Sequence, residues 1–230
     1  NLMTKNIFFW GGKFKASIIY NLIKDNKILN DTKMCAVKYI FDPNLEKPQF
    51  SSDAQFSNKK NDLENFFKDS EYFVVCIGNE LGFARYSISK ELEKKNIIPL
   101  DIISKNSYFE DKRLLGKGVQ LFPNSIIQTD SRVGDYSILN TGSILEHHCD
   151  VGNGVHIMPG AVIGGNVKIG DYVTIGLNAT VMPKVIIEEG AYIGAGALVN
   201  KDVKKNQIVA GNPAQFLRLA EHKVDLEFFK

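Results

Sequence analysis

From Ser125 to Asp202 the chain repeats itself every six residues. Read in sixes it runs SIIQTD, SRVGDY, SILNTG, SILEHH, CDVGNG, VHIMPG, AVIGGN, VKIGDY, VTIGLN, ATVMPK, VIIEEG, AYIGAG and ALVNKD. The third residue of all thirteen blocks is aliphatic, from Ile127 to Val199, and the first is always Ser, Cys, Val or Ala. Positions one and three of a strand share a face, so each block supplies a short strand with one small and one aliphatic side chain pointing the same way. A turn must follow within the six. Gly or Asn at position four (Gly134, Asn140, Gly152, Gly164, Gly170, Gly176, Gly194, Asn200) is the expected place for it, where a larger side chain would clash. Three such strands close a triangular coil with the aliphatics stacked inside. Hexapeptide repeats of this kind make parallel β-helices, whose coils bury their interior only against one another. Val119 to Asn124 (VQLFPN) fits as one more block at the edge, and Arg113 breaks the pattern before it.

The rest of the composition narrows the class. At 230 residues, 44% hydrophobic and 23% charged, the chain has room for one large domain or two modest ones. Its apolar stretches are strand-sized, so no transmembrane span is expected, and no signal peptide is visible. A net charge of +2 argues against a broad basic face for nucleic acid. Cys35, Cys76 and Cys149 are odd in number and scattered, which fits a reducing cytoplasm and neither a disulfide framework nor a zinc site.

The first hundred residues read as alternating strands and helices. Strands are expected over 5–10, 35–41, 71–77 and 97–103, and helices over 14–24, 61–68 and 79–95, with 51–60 a polar loop. The order implies a small parallel sheet flanked by helices. Ligands of such sheets sit beyond the carboxyl ends of the strands, near helix N-termini. That nominates Gly11, Gly12, Lys13 and Lys15, Asp42, and Gly78 with Asn79. Gly11-Gly12 also reads as a plain turn, and Asp42 before Pro43 as a turn residue. The expected division is an α/β domain over 1–112, a β-helix over 113–205, and a C-terminal cap over 206–230 that starts as a helix near Phe216.

Several segments together carry a family resemblance: IFFWGGKFKASII, YIFDP, VVCIGNELGFAR, GVQLFPNSII, LNTGSILEHHCDVGNGVHIMPGAVIGGNVKIG and the ending VAGNPA. The chain resembles the bacterial nucleotide-sugar N-acetyltransferases and sialic-acid O-acetyltransferases. That resemblance implies an α/β N-terminal domain holding a nucleotide-linked sugar, then an all-β left-handed parallel β-helix using acetyl-CoA without a metal, and a short C-terminal helix. It also implies homotrimers with active sites at subunit interfaces, and a cytoplasmic role in polysaccharide biosynthesis. By resemblance His156 contacts the acetyl-CoA. Leu177, Gly194 and Ala195 line the pantetheine groove, Gly211, Pro213 and Ala214 lie near its adenine end, and Asn140 sits close to the sugar. Two positions depart from the pattern. Phe14 and Lys15 stand where the family usually has Gly and His, so Lys15 reads either as a point charge for phosphate or as a solvated first-turn lysine. His148 stands where the family often has Glu, leaving Glu146, Asp150, His148 itself or no group to orient the preceding histidine.

Three of the four histidines, His147, His148 and His156, fall within ten residues. One coil is three blocks, or 18 residues, so His147 and Gly165 stack on one corner in adjacent coils, about 4.8 Å apart. His156 is nine residues from each and points elsewhere unless another subunit supplies it. A histidine here suits general-base work on an amine or hydroxyl attacking a thioester. The resemblance gives Gly165 the oxyanion-binding N–H, a role a preorganised amide fills. Cys149, at a small inward position, reads as packing. Sugar O-acylation remains an alternative, and a non-catalytic scaffold a lesser one. A metal-dependent hydratase on the same frame would need histidines at about five and 36 residues after His147, where Gly152 and Pro183 stand.

Overall fold

The computed structural model describes residues 5–29 and 35–229. Its N-terminal part is a five-stranded parallel sheet in the order β3-β2-β1-β4-β5, formed by β1 (Lys5–Trp10), β2 (Cys35–Phe41), β3 (Gln55–Ser57), β4 (Tyr72–Val75) and β5 (Ile98–Pro99). Strand β3 falls inside the stretch expected as loop. Its three residues at a sheet edge, with only Ser57 buried, carry too little pattern to announce a strand. One face is covered by α1 (Phe14–Lys24) through Ala16, Ile19 and Ile23, together with Phe122 and Ile138 of the coil. Phe14 and Ile18, which share the helical apolar spacing of Ile19, Leu22 and Ile23, are exposed. The other face is covered by α2 (Leu63–Lys68) and α3 (Gly82–Glu93).

The repeats wind into a parallel β-helix of three faces, each built from two-residue strands paired with a constant offset of 18, as in Ile138↔His156, Ile144↔Val162 and Asp150↔Lys168. Every position-three aliphatic from Leu121 to Val199 is at most 3% exposed, and every position-one residue from Ser125 to Ala197 at most 5%. The coil starts earlier than the 112/113 boundary allows: Ile102–Ile103 pairs with Gln120–Leu121, and Tyr108–Phe109 with Ile126–Ile127. It also runs past 205, since Gln207–Ala210 pairs with the strand at Tyr192–Ile193. The stretch expected as one strand over 97–103 divides between the sheet and the coil.

The turn lies at position six, not four. Asp130, Tyr136, Gly142, His148 and Gly154 and their successors, one per block to Gly196, all have φ between 52° and 70°. Glycine at position four answers a different demand. A Cβ on Gly134, Gly152 or Gly170 would approach the next coil's backbone to 2.5–2.9 Å, a distance no side chain tolerates. Non-glycine residues at position six bear the left-handed backbone because the coil-to-coil bonds determine it.

Four position-one serines are fully enclosed, and they differ. Ser137 Oγ donates to Gly152 O at 2.9 Å and accepts from Val155 N at 3.0 Å. Ser143 Oγ has no hydrogen-bond partner among the described residues. Ser143→Ala is therefore expected to leave the melting temperature unchanged or raised, whereas Ser137→Ala costs roughly 1–3 kcal/mol by orphaning two buried backbone groups. Parallel thermal melts read the difference.

The tail departs from the expected helix. Gln215–Leu219 is a strand antiparallel to Gln207–Ala210, and only a 3₁₀ turn at Glu227–Phe229 follows. Between them the chain crosses to the N-terminal sheet, where Val224, Leu226, Phe228 and Phe229 pack against its aromatic core. Phe229 stacks on Trp10 at 4.8 Å.

Candidate functional site

Parallel strands deliver their carboxyl ends to one edge, and all three loops leaving β1, β2 and β4 open into one cleft of about 660 Å³. The chain runs from β1 outward to β2 and β3, then returns to β4 on the other side of β1, so the cleft lies at the topological switch point. Gly11, Lys13, Lys15, Asp42, Gly78 and Asn79 all line it, and Gly12 lies just behind. Asp42 behaves as a loop pin: its buried carboxylate accepts from Gly12 N at 2.9 Å and Asn44 N at 3.0 Å. Lys223, Val224, Asp225 and Phe228 complete the wall. Sequence reading missed them, although Val224, Leu226 and Phe228 alternate with charged residues at strand period, a signal for an extended segment with one apolar side.

Lys15 fits neither sequence alternative fully. Its stem passes beneath Gly78, where a Cβ would lie 2.5 Å from Lys15 Cε, and its Nζ rests 4.4 Å from the Phe122 ring centroid. Burial, and then the positive charge of Arg85, pull the ammonium down to about 7. No carboxylate among the described residues pairs with it, and an anionic ligand in the cleft would stabilise its charged form.

His156 stands on the coil face that the N-terminal domain covers. Its ring is 2% exposed. Nδ1 lies 3.0 Å from Asn79 O, so Nδ1 carries the proton, and Nε2 then accepts from Asn140 Nδ2 at 3.2 Å. Asn140 is oriented in turn by the Thr141 N–H, which donates to its Oδ1 at 2.9 Å. Burial, then the charges of Lys15 and Arg85, hold His156 well below the ordinary histidine range. It is a neutral link between the cleft loop and the coil, with both ring nitrogens engaged inside the chain.

His147 occupies the corner between the other two faces, opposite the one covered by the N-terminal domain. The 18-residue stacking puts its ring against Gly165: a Cβ there would lie 2.6 Å from His147 Nε2 and Cε1. Asn166 N donates to His147 O at 2.9 Å, and Gly165 O accepts from Lys184 N at 3.0 Å. The Gly165 N–H has no acceptor among the described residues. His148 extends from the same corner, its Nδ1 3.1 Å from His147 Nδ1. Cys149 is buried beneath, its thiol 3.2 Å from Gly164 O and pushed up by burial, as an inert packing residue would be.

Leu177 and Ala195 stack on a different corner and are exposed, with Gly194 N taken by Val209 O at 2.7 Å. Gly211, Pro213 and Ala214 form the turn into the terminal hairpin, and Ala214 N donates to Leu198 O at 2.8 Å. Among the described residues no group of three or more His, Cys, Asp or Glu converges as a metal site, and no helix is long and apolar enough to cross a membrane.

Residues 148–181 match the family model for the bacterial transferase hexapeptide (six repeats). No curated protein sequence matches the chain. Among solved structures, the acetyltransferase domain of PglB from Neisseria gonorrhoeae FA1090, in complex with acetyl coenzyme A, superposes with a TM-score of 0.77 at 21% identity, covering 93% of this chain and all of that one. WeeI from Acinetobacter baumannii AYE gives 0.77 at 24% identity with the same coverage. PerB from Caulobacter crescentus, in complex with CoA and GDP-perosamine, gives 0.72 at 22% identity, covering 93% and 97%. At these identities the shared property is the fold: a small parallel sheet with helices, followed by a parallel β-helix.

Proposed function

We propose that this protein is an acetyl-CoA-dependent N-acetyltransferase acting on the amine of a nucleotide-linked amino-deoxysugar, with His147 as the general base. The observation that carries the reading is the His147 imidazole lying against Gly165, whose N–H is unpaired. A base and an oxyanion donor side by side suit attack of an amine on a thioester carbonyl. The amine's proton passes to His147, the tetrahedral oxygen is held by the N–H, and CoA leaves as the thiol with no covalent enzyme intermediate. Likeness to the PglB domain with acetyl coenzyme A and to PerB with CoA and GDP-perosamine supports both co-substrates. The cleft's loops and its half-buried Lys15 suit the diphosphate of a nucleotide sugar.

Cleft and base occupy opposite sides of one chain, so the reading requires a second copy to bring its His147 corner to the cleft. A closed homotrimer satisfies this. In such an assembly, the groove between neighbouring coils would run from Gly165 to the N–H groups of Leu177 and Ala195, which have no acceptor among the described residues and suit the amides of pantetheine.

The test is a mass-spectrometric panel of UDP-, dTDP- and GDP-linked 3- and 4-amino-dideoxysugars with acetyl-CoA, alongside nucleotide titrations followed by emission of Trp10, the one tryptophan, which lines the cleft. Acetylation of at least one amine is expected. Acetylation of hydroxyls alone, with no nucleotide bound, would replace this reading by O-acylation of a free sugar.

Lys15 adds a pH signature. An unfolded lysine keeps its proton to about pH 10.4, while Lys15 in the fold loses it near 7. Between those values the unfolded chain binds the extra proton, so Lys15's contribution makes stability rise with pH across that window and leaves the full cost of burying its charge below 7. A bound diphosphate favours the charged form. Nucleotide binding above pH 7 is therefore expected to take up a proton and to weaken as pH rises. Lys15→Met should abolish the proton uptake and lose roughly 10- to 100-fold in affinity, as calorimetry in buffers of different ionisation enthalpy would record.

A further inference from the structure

We infer that Asp130 is a positioning residue for His147, acting through His148; this rests on the reading of His147 as the base. Position six on this corner runs Asp130, His148, Asn166 and Lys184, all left-handed, so the carboxylate and the imidazole stand one coil apart by construction. The His148 N–H donates to Thr129 O at 2.9 Å and holds the two rungs together. From that backbone His148 Nε2 reaches within 3.4 Å of Asp130 Oδ2, while its Nδ1 lies 3.1 Å from His147 Nδ1.

With both imidazoles neutral, one arrangement of protons satisfies both contacts. His148 Nε2–H points to the carboxylate, and the Nδ1 lone pair accepts the Nδ1–H of His147. His147 Nε2 is then the free lone pair, and Nε2 is one of the two ring atoms lying nearest Gly165. When Nε2 takes the amine's proton, no other proton need move. The positive charge on His147 is met by the Asp130 carboxylate across the intervening ring. The other charged groups on the surrounding rungs are Glu146 and Asp150 in the same coil, Arg132 beside Asp130, and Lys168 and Lys184 on the other side. None of them hydrogen-bonds or ion-pairs with either imidazole among the described residues.

The experiment uses the full chain with Asp130→Asn, His148→Asn and His148→Glu. All are conservative at exposed corners, and Asn is well suited to a left-handed backbone. Asp130→Asn is expected to lower kcat roughly 10-fold with KM unchanged, and to move the acid limb of the pH–rate profile to lower pH, because the charged ring loses its counter-charge. His148→Asn should do the same, and Asp130→Asn should add nothing to it. His148→Glu should restore both values and make them indifferent to Asp130. A second readout needs no turnover: the His147 ring-proton NMR titration, easily assigned among four histidines, should shift in parallel. Superimposable titrations for wild type and Asp130→Asn would overturn the proposal, as would an undiminished Asp130 effect in the His148→Asn background. Should His147→Ala retain turnover, the base reading falls by itself, while the titration still decides whether Asp130 is coupled to His147.

Discussion

A His147→Ala variant is expected to lose about 10²–10⁴ in kcat while binding both co-substrates as the wild type does. The split follows from where the ring sits. His147 is exposed, and its ring lies against Gly165 and His148 at the corner, outside the coil interior. Removing it leaves the nucleotide cleft intact on the other side of the chain, so KM and melting temperature should hold. Gly165→Ala provides the complementary test. The histidine remains, but the new methyl would lie 2.6 Å from its ring and push it off the oxyanion position. A comparable fall in kcat is expected, without loss of the imidazole. Near-normal turnover in His147→Ala, measured by CoA release, would remove this residue from the chemistry.

The pairing of His147 with Gly165 was legible because it depends only on the repeat. Thirteen aliphatic positions fix the coil at 18 residues, and the offset then carries any two positions to one corner. Signals that arise between elements were harder to read. Glycine at position four reads as a turn in the sequence, yet its requirement comes from the neighbouring coil's backbone, which a single block does not reveal. Ile102–Ile103 belongs to the coil although no complete hexad surrounds it, because its inward residue finds a neighbour one turn on. The pairing of His156 with Asn79 and Asn140 is likewise invisible in sequence, since it depends on how the sheet is docked on the coil. The tail's crossing to Trp10 was hidden for a related reason. Five alternating residues specify an extended strand but not the surface it meets. Lys15 is enclosed by Gly78 and Phe122, residues more than sixty positions away, so its surroundings depend on contacts that no local stretch of sequence shows.

Docking of the two parts depends above all on Arg85, and its removal is the largest stability change expected, about 3–5 kcal/mol for Arg85→Ala. The guanidinium is 1% exposed and is met entirely by backbone. Nε donates to Tyr136 O at 2.8 Å, Nη1 to Ile77 O at 3.1 Å, and Nη2 to Gly154 O at 2.8 Å and Val155 O at 3.2 Å. Among the described residues only Val155 O of these carbonyls also accepts a backbone N–H, that of Ile138. Truncation would orphan the others between α3 and one corner of two successive coils, where α3 packs so closely that a Cβ on neighbouring Gly82 would lie 2.2 Å from Gly154 O. Arg85→Met separates volume from hydrogen bonding. It refills the space yet satisfies no carbonyl, so it should recover less than half of the loss. Arg85→Lys, with a single point donor, cannot reproduce the fork. In urea the coil, whose interior is stabilised turn on turn, should outlast the sheet, so that Arg85→Ala unfolds in two steps: Trp10 emission changes first and far-ultraviolet circular dichroism later. A single coincident transition at the wild-type midpoint would mean that the aromatic contacts of Phe83 and Tyr86 with Tyr136 and Tyr172 hold the parts together without Arg85.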